Sequence, residues 1–130
     1  MNVPPPHVIW HEPLNDVQMG VVWNEYKGKV DSYEIDAAEV YSAEEFSARL
    51  EAWITRKSSA RIHVLLIWHA HFLSSACQQI LRRWMETKSW KCRVWFHVEY
   101  LNTIQQAILS RCVLKNIQDI VHPIPDIQIL

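Results

Sequence analysis

Glycine is nearly missing: the 130 residues hold only Gly20 and Gly28. A loop that curls backbone N–H groups around phosphates needs several glycines close together. No glycine-rich phosphate loop can therefore be placed anywhere in the chain. Cysteine is scarce and odd in number. Cys77, Cys92 and Cys112 are widely spaced, which excludes a disulfide scaffold and fits the reduced thiols of a cytosolic or nuclear compartment. No apolar run approaches the roughly 20 residues needed to span a bilayer. The start, MNVPPPHV, offers neither a basic n-region nor an apolar h-region, so no signal peptide and no membrane association are expected. The location expected is intracellular, cytoplasmic or nuclear. A net charge of −1 does not by itself advertise a nucleic-acid partner.

What is present is apolar and aromatic. Hydrophobic residues make up 49% and charged residues 21%, the balance of one globular domain, residues 1–130, with a single core. Seven tryptophans are expected mostly in that core, with some left for an interface. The charge is uneven. Residues 1–73 carry 6 basic and 10 acidic side chains, residues 74–130 carry 7 and 4. The second half could present a basic face to phosphate or to an acidic partner, or simply solvated helix surfaces.

Strand and helix signals alternate. His7–His11 (HVIWH) reads as a strand. Asp16–Lys27 reads as a helix with Val17, Val21, Trp23 and Tyr26 inward and Gly28 at its C′ position. Ser32–Asp36 is a short alternating strand. Ser42-Ala43-Glu44-Glu45 is a capping box opening a helix over 43–57, with Phe46, Leu50, Trp53 and Ile54 as its apolar stripe. Arg61–Ile67 is a buried strand. Ser74 caps a helix over 75–88 with Cys77, Ile80, Leu81 and Trp84 inward. Cys92–Val98, Thr103–Leu109 and Val113–Ile117 read as strand, helix and strand. Such alternation predicts an α/β fold with a parallel sheet covered on both faces.

Within this order, Leu73-Ser74, Cys77-Gln78, Leu81-Arg82-Arg83-Trp84-Met85-Glu86 and Ser110-Arg111-Cys112 stand in a recognisable arrangement. Residues 61–112 resemble the nucleotide-binding core of clamp-loader AAA+ proteins, such as the replication factor C small subunits and the bacterial delta-prime subunit. Pro6–His11 is similar to the strand that enters the family's P-loop. The resemblance implies a three-layer α/β/α, P-loop NTPase-like domain with a mostly parallel sheet of about five strands. Unlike the family, the chain is expected to have no lid and no collar domain.

The resemblance also identifies what differs. The family's metal-binding Asp falls on Trp68 and its water-activating Glu on His69. The P-loop falls on Glu12–Met19, which has no glycine and no lysine, with Gln18 at the lysine; Glu12 and Asp16 would repel a triphosphate. The strand-end Asn that positions water falls on Glu99. The implied protein is thus not an enzyme. It is a degenerate pseudo-ATPase without cofactor, derived from a clamp-loader-like ancestor, and Trp68 is expected to fill the vacated crevice. Its expected work is protein–protein contact, in DNA replication or repair, with self-association; such a minimised form would suit a large DNA virus. Arg111 matches the family's arginine finger, whose guanidinium forks onto phosphate oxygens; an ordinary ion pair is its other reading. The alternative function is a nucleic-acid-binding accessory role using the basic C-terminal half, with Arg82 and Arg83 as contacts; equally, these two are solvated helix residues, or Arg83 pairs with Glu86. His69, His71, His97 and Glu99 are the residues from which a metal cluster could be built. Because His-x-His recurs by chance, no metal is expected, and the histidines are read as filling space. Cys77 and Cys112 are read as small core residues rather than nucleophiles.

Overall fold

A computed structural model describes residues 6–11, 16–56, 58 and 62–116. The expected phosphate-loop residues Glu12–Asn15, the strand start at Arg61 and the segment 117–130 lie outside the described residues. Five strands, β1 (His7–His11), β2 (Asp31–Asp36), β3 (His63–Trp68), β4 (Cys92–His97) and β5 (Cys112–Asn116), alternate with α1 (Asp16–Lys27), α2 (Ala43–Thr55), α3 (Ser75–Lys88) and α4 (Gln106–Leu109). The sheet runs β2-β3-β4-β1-β5 and every pairing is parallel. Parallel neighbours need crossovers, and the helices supply them.

Alternation along each strand builds two apolar layers. Val8, Trp10, Val64, Leu66 and Trp95 point to the face covered by α1, where Met19, Val22, Trp23 and Tyr26 meet them. Ile9, Ile35, Leu65, Ile67, Val94 and Phe96 point the other way, against Phe46 and Leu50 of α2, Leu81 and Trp84 of α3 and Ile108 of α4. The result is the expected three-layer α/β/α arrangement. Trp95 is the hub of the α1 layer, with ring centroids 5.2 Å from Trp10, 5.4 Å from Trp23 and 4.4 Å from Tyr26.

Helix starts are fixed by their caps. The Ser42 Oγ accepts the Glu45 N–H at 3.2 Å, and the Ser74 Oγ accepts the Cys77 N–H at 3.1 Å. Each satisfies a donor that the first helical turn leaves unpaired.

Three expectations are corrected. Val17 and Val21 are exposed, and α1 buries Met19, Val22, Trp23 and Tyr26 instead; only that set keeps the full i, i+3, i+4, i+7 spacing. Gly28 takes no positive φ; the chain leaves α1 through a turn in which the Lys29 N–H donates to the Tyr26 carbonyl. The helix expected over 103–109 is split into a 3-10 turn at Leu101–Thr103 and the short α4. The cause is Gln78, whose buried amide donates to the Thr103 carbonyl at 2.8 Å and accepts the Gln105 N–H at 2.7 Å. Those backbone groups are paired with a side chain, so the helical ladder does not run through them.

Candidate functional site

The connection leaving β1 carries α1 over one face of the sheet, whereas α2, α3 and α4 cover the other. Because β1 lies beside β4, neighbouring strands feed opposite faces at that point. In open α/β sheets such a switch opens a crevice at the carboxyl ends of the strands, where ligands bind. Here that end gathers Asp16 at the start of α1, Asp36 at the end of β2, Trp68 at the end of β3 with His69 just after it, and His97 at the end of β4.

His69 is the centre of the group. It is the only non-glycine residue with positive φ among the described residues (φ 51°, ψ 48°), a strained backbone that turns the chain from β3 into the 3-10 turn Ala70–Phe72. Its Nδ1 lies 3.0 Å from the Asp36 Oδ1 and its Nε2 lies 3.0 Å from the Asp16 Oδ2. The ring therefore bridges two carboxylates from different elements. Burial works against the imidazolium, but the hydrogen bonds to Asp36 and Asp16 outweigh it and raise the pKa above the ordinary histidine value. Asp36 also accepts the Ala38 N–H at 3.0 Å, capping the 3-10 turn Ala37–Glu39 that follows β2.

His97 behaves oppositely. It is fully buried and neither ring nitrogen has a hydrogen-bond partner. Burial lowers its pKa to about 4, against the pull of Asp16, so the ring is neutral at pH 7. Its Nε2 faces the Asp16 Oδ1 at 3.9 Å, and its ring centroid stands 5.4 Å from that of His69. Trp68 is half-buried. It packs on the α1-side core, sets its ring edge-on to His97 at 5.1 Å, and donates its Nε1–H to Glu34 at 2.9 Å. It walls one side of His97 and remains partly open to solvent.

The other sequence-predicted residues scatter. Gln18 is half-buried within α1. Glu99 is exposed just beyond β4, where its N–H approaches the His71 Nδ1 at 3.4 Å. His71 itself turns toward Phe72 and Tyr100, with centroids at 4.4 and 6.0 Å. The cluster expected from His69, His71, His97 and Glu99 is thus divided. Among the described residues, the group whose ligand atoms come together is Asp16, His69 and His97, all within 4.8 Å of one another. Asp16 and Asp36 were not among the expected ligands. The signal available was positional: Asp36 ends β2, and Asp16 opens the helix that follows β1.

Arg111 is exposed and reaches back to α3, where it pairs with Glu86 at 3.0 Å and donates to the Ala107 carbonyl. Glu86 is therefore the partner of Arg111 rather than of Arg83. Arg83 lies in a shallow groove between α2 and α3, lined also by Ser47, Glu51, Ile80, Trp84 and Thr87. Arg82 is half-buried, and its Nε is buried without a partner. Burial pushes the Cys92 and Cys112 thiols up to about 12, so neither is a nucleophilic thiolate at neutral pH.

No protein-family model and no curated protein sequence matches this chain. Solved structures do. The Thermotoga maritima RuvB Holliday junction branch migration motor superimposes with a TM-score of 0.64 at 14% identity, covering 84% of this chain and 36% of that one. A DNA polymerase III gamma-subunit-related protein, also from Thermotoga maritima, gives a TM-score of 0.63 at 8% identity, covering 87% of this chain and 40% of that one. The chain thus spans no more than about two fifths of either neighbour. Among the described residues, no helix is long and apolar enough to cross a membrane. At such identities the likeness is one of architecture alone: this chain shares with these neighbours an α/β fold, here a five-stranded, all-parallel sheet with helices on both faces.

Proposed function

We propose that this chain is a non-catalytic, AAA+-like module, a pseudo-ATPase that acts through protein–protein contact. The observation that carries the reading is Asp16 in the first turn of α1, hydrogen-bonded to His69. A helix N-terminus after β1 is where a P-loop fold receives phosphate, because unpaired N–H groups and the helix dipole favour an anion there. In this chain a fixed carboxylate already stands at that end, and a second, Asp36, lies on the far side of His69. A triphosphate brought to this crevice would meet two acids and, in the flanking segment 12–19, no lysine. Isothermal titration calorimetry with ATP and magnesium is expected to show no binding tighter than about millimolar. A micromolar dissociation constant would overturn the reading.

The structural neighbours are described as a Holliday junction branch migration motor and a DNA polymerase III gamma-subunit-related protein. A partner in DNA replication or repair is the corresponding proposal for this chain. Phe72 and Tyr100, both exposed, flank His71 at the crevice end of the sheet and are the aromatic anchors such a contact would use. Self-association belongs to the same proposal, with Val113 and Leu114 exposed on the edge strand β5; light scattering that shows a strict monomer at high concentration would remove it. A direct nucleic-acid role is less well supported, because Glu44 and Glu51 of α2 lie along the same groove as Arg83. Anisotropy with labelled DNA across a salt series tests it, since phosphate binding weakens steeply with salt.

A further inference from the structure

We propose that Asp16, His69 and His97 form a binding site for a divalent cation of the zinc class, with a fourth position left to water. The three side chains come from α1, the turn after β3, and β4, and each offers a ligand atom within 4.8 Å of the others. Zinc–nitrogen bonds of about 2.0–2.1 Å put the atoms of a tetrahedral shell about 3.3 Å apart. The spacings seen, 3.0 Å from the His69 Nε2 to Asp16 and 3.9 Å from the His97 Nε2 to Asp16, lie on either side of that figure. They run to the two different oxygens of the Asp16 carboxylate, and with all three ligand atoms within 4.8 Å of one another, side-chain shifts of up to about 1.5 Å would close the shell.

Two further features point to a cation rather than to simple packing. His97 is fully buried, and both of its nitrogens lack a hydrogen-bond partner. A buried imidazole left so is costly, and a metal accepting the Nε2 lone pair would satisfy one of its two nitrogens. Second, His69 already has the partner that metal-bound histidines use. Its Nδ1 is hydrogen-bonded to the Asp36 carboxylate at 3.0 Å, the carboxylate–histidine arrangement that fixes the ring and aims the other nitrogen at the metal. Two imidazoles and one carboxylate form the donor set of open zinc sites that keep one coordinated water. Asp16 is 57% exposed, so the site has a path for the ion and for that water. Magnesium is a poor match, because it prefers an octahedral shell of oxygens.

The test is titration of the full chain with Zn²⁺ by calorimetry and with Co²⁺ by visible absorption. One equivalent of Zn²⁺ should bind with a dissociation constant below about 10 μM, weaker than four-ligand structural sites. Co²⁺ should give the intense visible band of tetrahedral coordination. Asp16→Asn, an exposed change that the fold tolerates, should weaken Zn²⁺ by at least about tenfold. Asp36→Asn, which removes the negative charge behind His69 and leaves an amide oxygen that can still accept the Ala38 N–H, should weaken it by about 10- to 100-fold. His97→Gln, checked for folding by circular dichroism, should abolish the Co²⁺ band, and His71→Gln should leave the affinity within about twofold. Absence of binding in the wild type would overturn the site and leave a hydrogen-bonded Asp16–His69–Asp36 bridge. Binding that survives Asp16→Asn, or that is lost in His71→Gln, would equally overturn this set of ligands. Because ATP is absent from every arm, failure here would leave the pseudo-ATPase reading untouched.

Discussion

Mild acid should weaken this protein through one imidazole at the start of β1. The His7 ring is buried, and its Nδ1 accepts the Val94 N–H at 3.0 Å. The side chain thus extends the β1–β4 ladder one step beyond the Val8–Trp95 pair. Burial, reinforced by the charges of Arg93 and Arg111, lowers its pKa from 6.5 to about 4. Above pH 6.5 neither folded nor unfolded chain holds a proton there, so this group makes no pH-dependent difference. Between pH 6.5 and about 4 the unfolded chain takes up a proton that the folded chain refuses, and stability falls with pH. Below about 4 both forms are protonated and the loss is complete. A shift of about 2.5 units at 1.36 kcal/mol per unit gives about 3 kcal/mol. His7→Asn keeps an acceptor oxygen near the Nδ1 position and removes the proton site. Urea unfolding of both proteins, followed by tryptophan fluorescence at steps from pH 7.5 to 4, should show the wild type losing about 3 kcal/mol relative to the variant. The buried His97 titrates in the same direction in both proteins, so it cancels in the difference. Two stability curves that stay parallel within about 0.5 kcal/mol would refute the reasoning.

Other substitutions have magnitudes set by their surroundings. Trp95→Ala removes the fully buried hub that touches Trp10, Trp23 and Tyr26 and should cost about 4 kcal/mol or more; Trp68→Ala, at a half-buried ring, should cost about 2 kcal/mol, so comparable losses in thermal melts would contradict the assigned burial. Ser74→Ala leaves the Cys77 N–H without its cap and should cost about 1 kcal/mol by chemical denaturation, whereas Ser74→Asp should retain most of the stability. A double-mutant cycle on Arg111 and Glu86, whose side chains are 36% and 41% exposed, should give a coupling below about 1 kcal/mol that shrinks in high salt.

Much of the architecture was legible because it rests on local chemistry. The ends of α1 and α3 follow from acid, serine and spacing signals that act within a few residues, and the observed ranges 16–27 and 75–88 agree with the sequence reading. The buried face of α1 was misread because Trp23 and Tyr26 belong to both candidate stripes, and only packing against Trp95 distinguishes Met19 and Val22 from Val17 and Val21. The split of the last helix was invisible for a different reason: it is imposed by Gln78, some 25 residues earlier in the chain. At the candidate site the histidines could be named, but their grouping could not. Asp16 and His69 are 53 residues apart, too far for any local pattern to pair them.

The sheet order has a consequence for how the chain acquires this structure. β1, the first strand among the described residues, is flanked by β4 and β5, and Val8 pairs with Trp95, 87 residues downstream. While the chain is being synthesised, β2, β3 and β4 can begin to pair in sequence as they appear, but the slot beside β4 must be filled by a strand made before all three. Until then Val8, Ile9 and Trp10, all fully buried in the finished protein, have no sheet to join. Non-local pairing of this kind slows folding, because loop closure must precede the contacts that reward it. A waiting apolar strand is also what chaperones hold and what aggregation recruits. The β1–β4 seam in the middle of the sheet therefore closes only after β4 is made, and variants that slow β4 should show their first defect in yield during expression rather than in the melting temperature of the protein that survives.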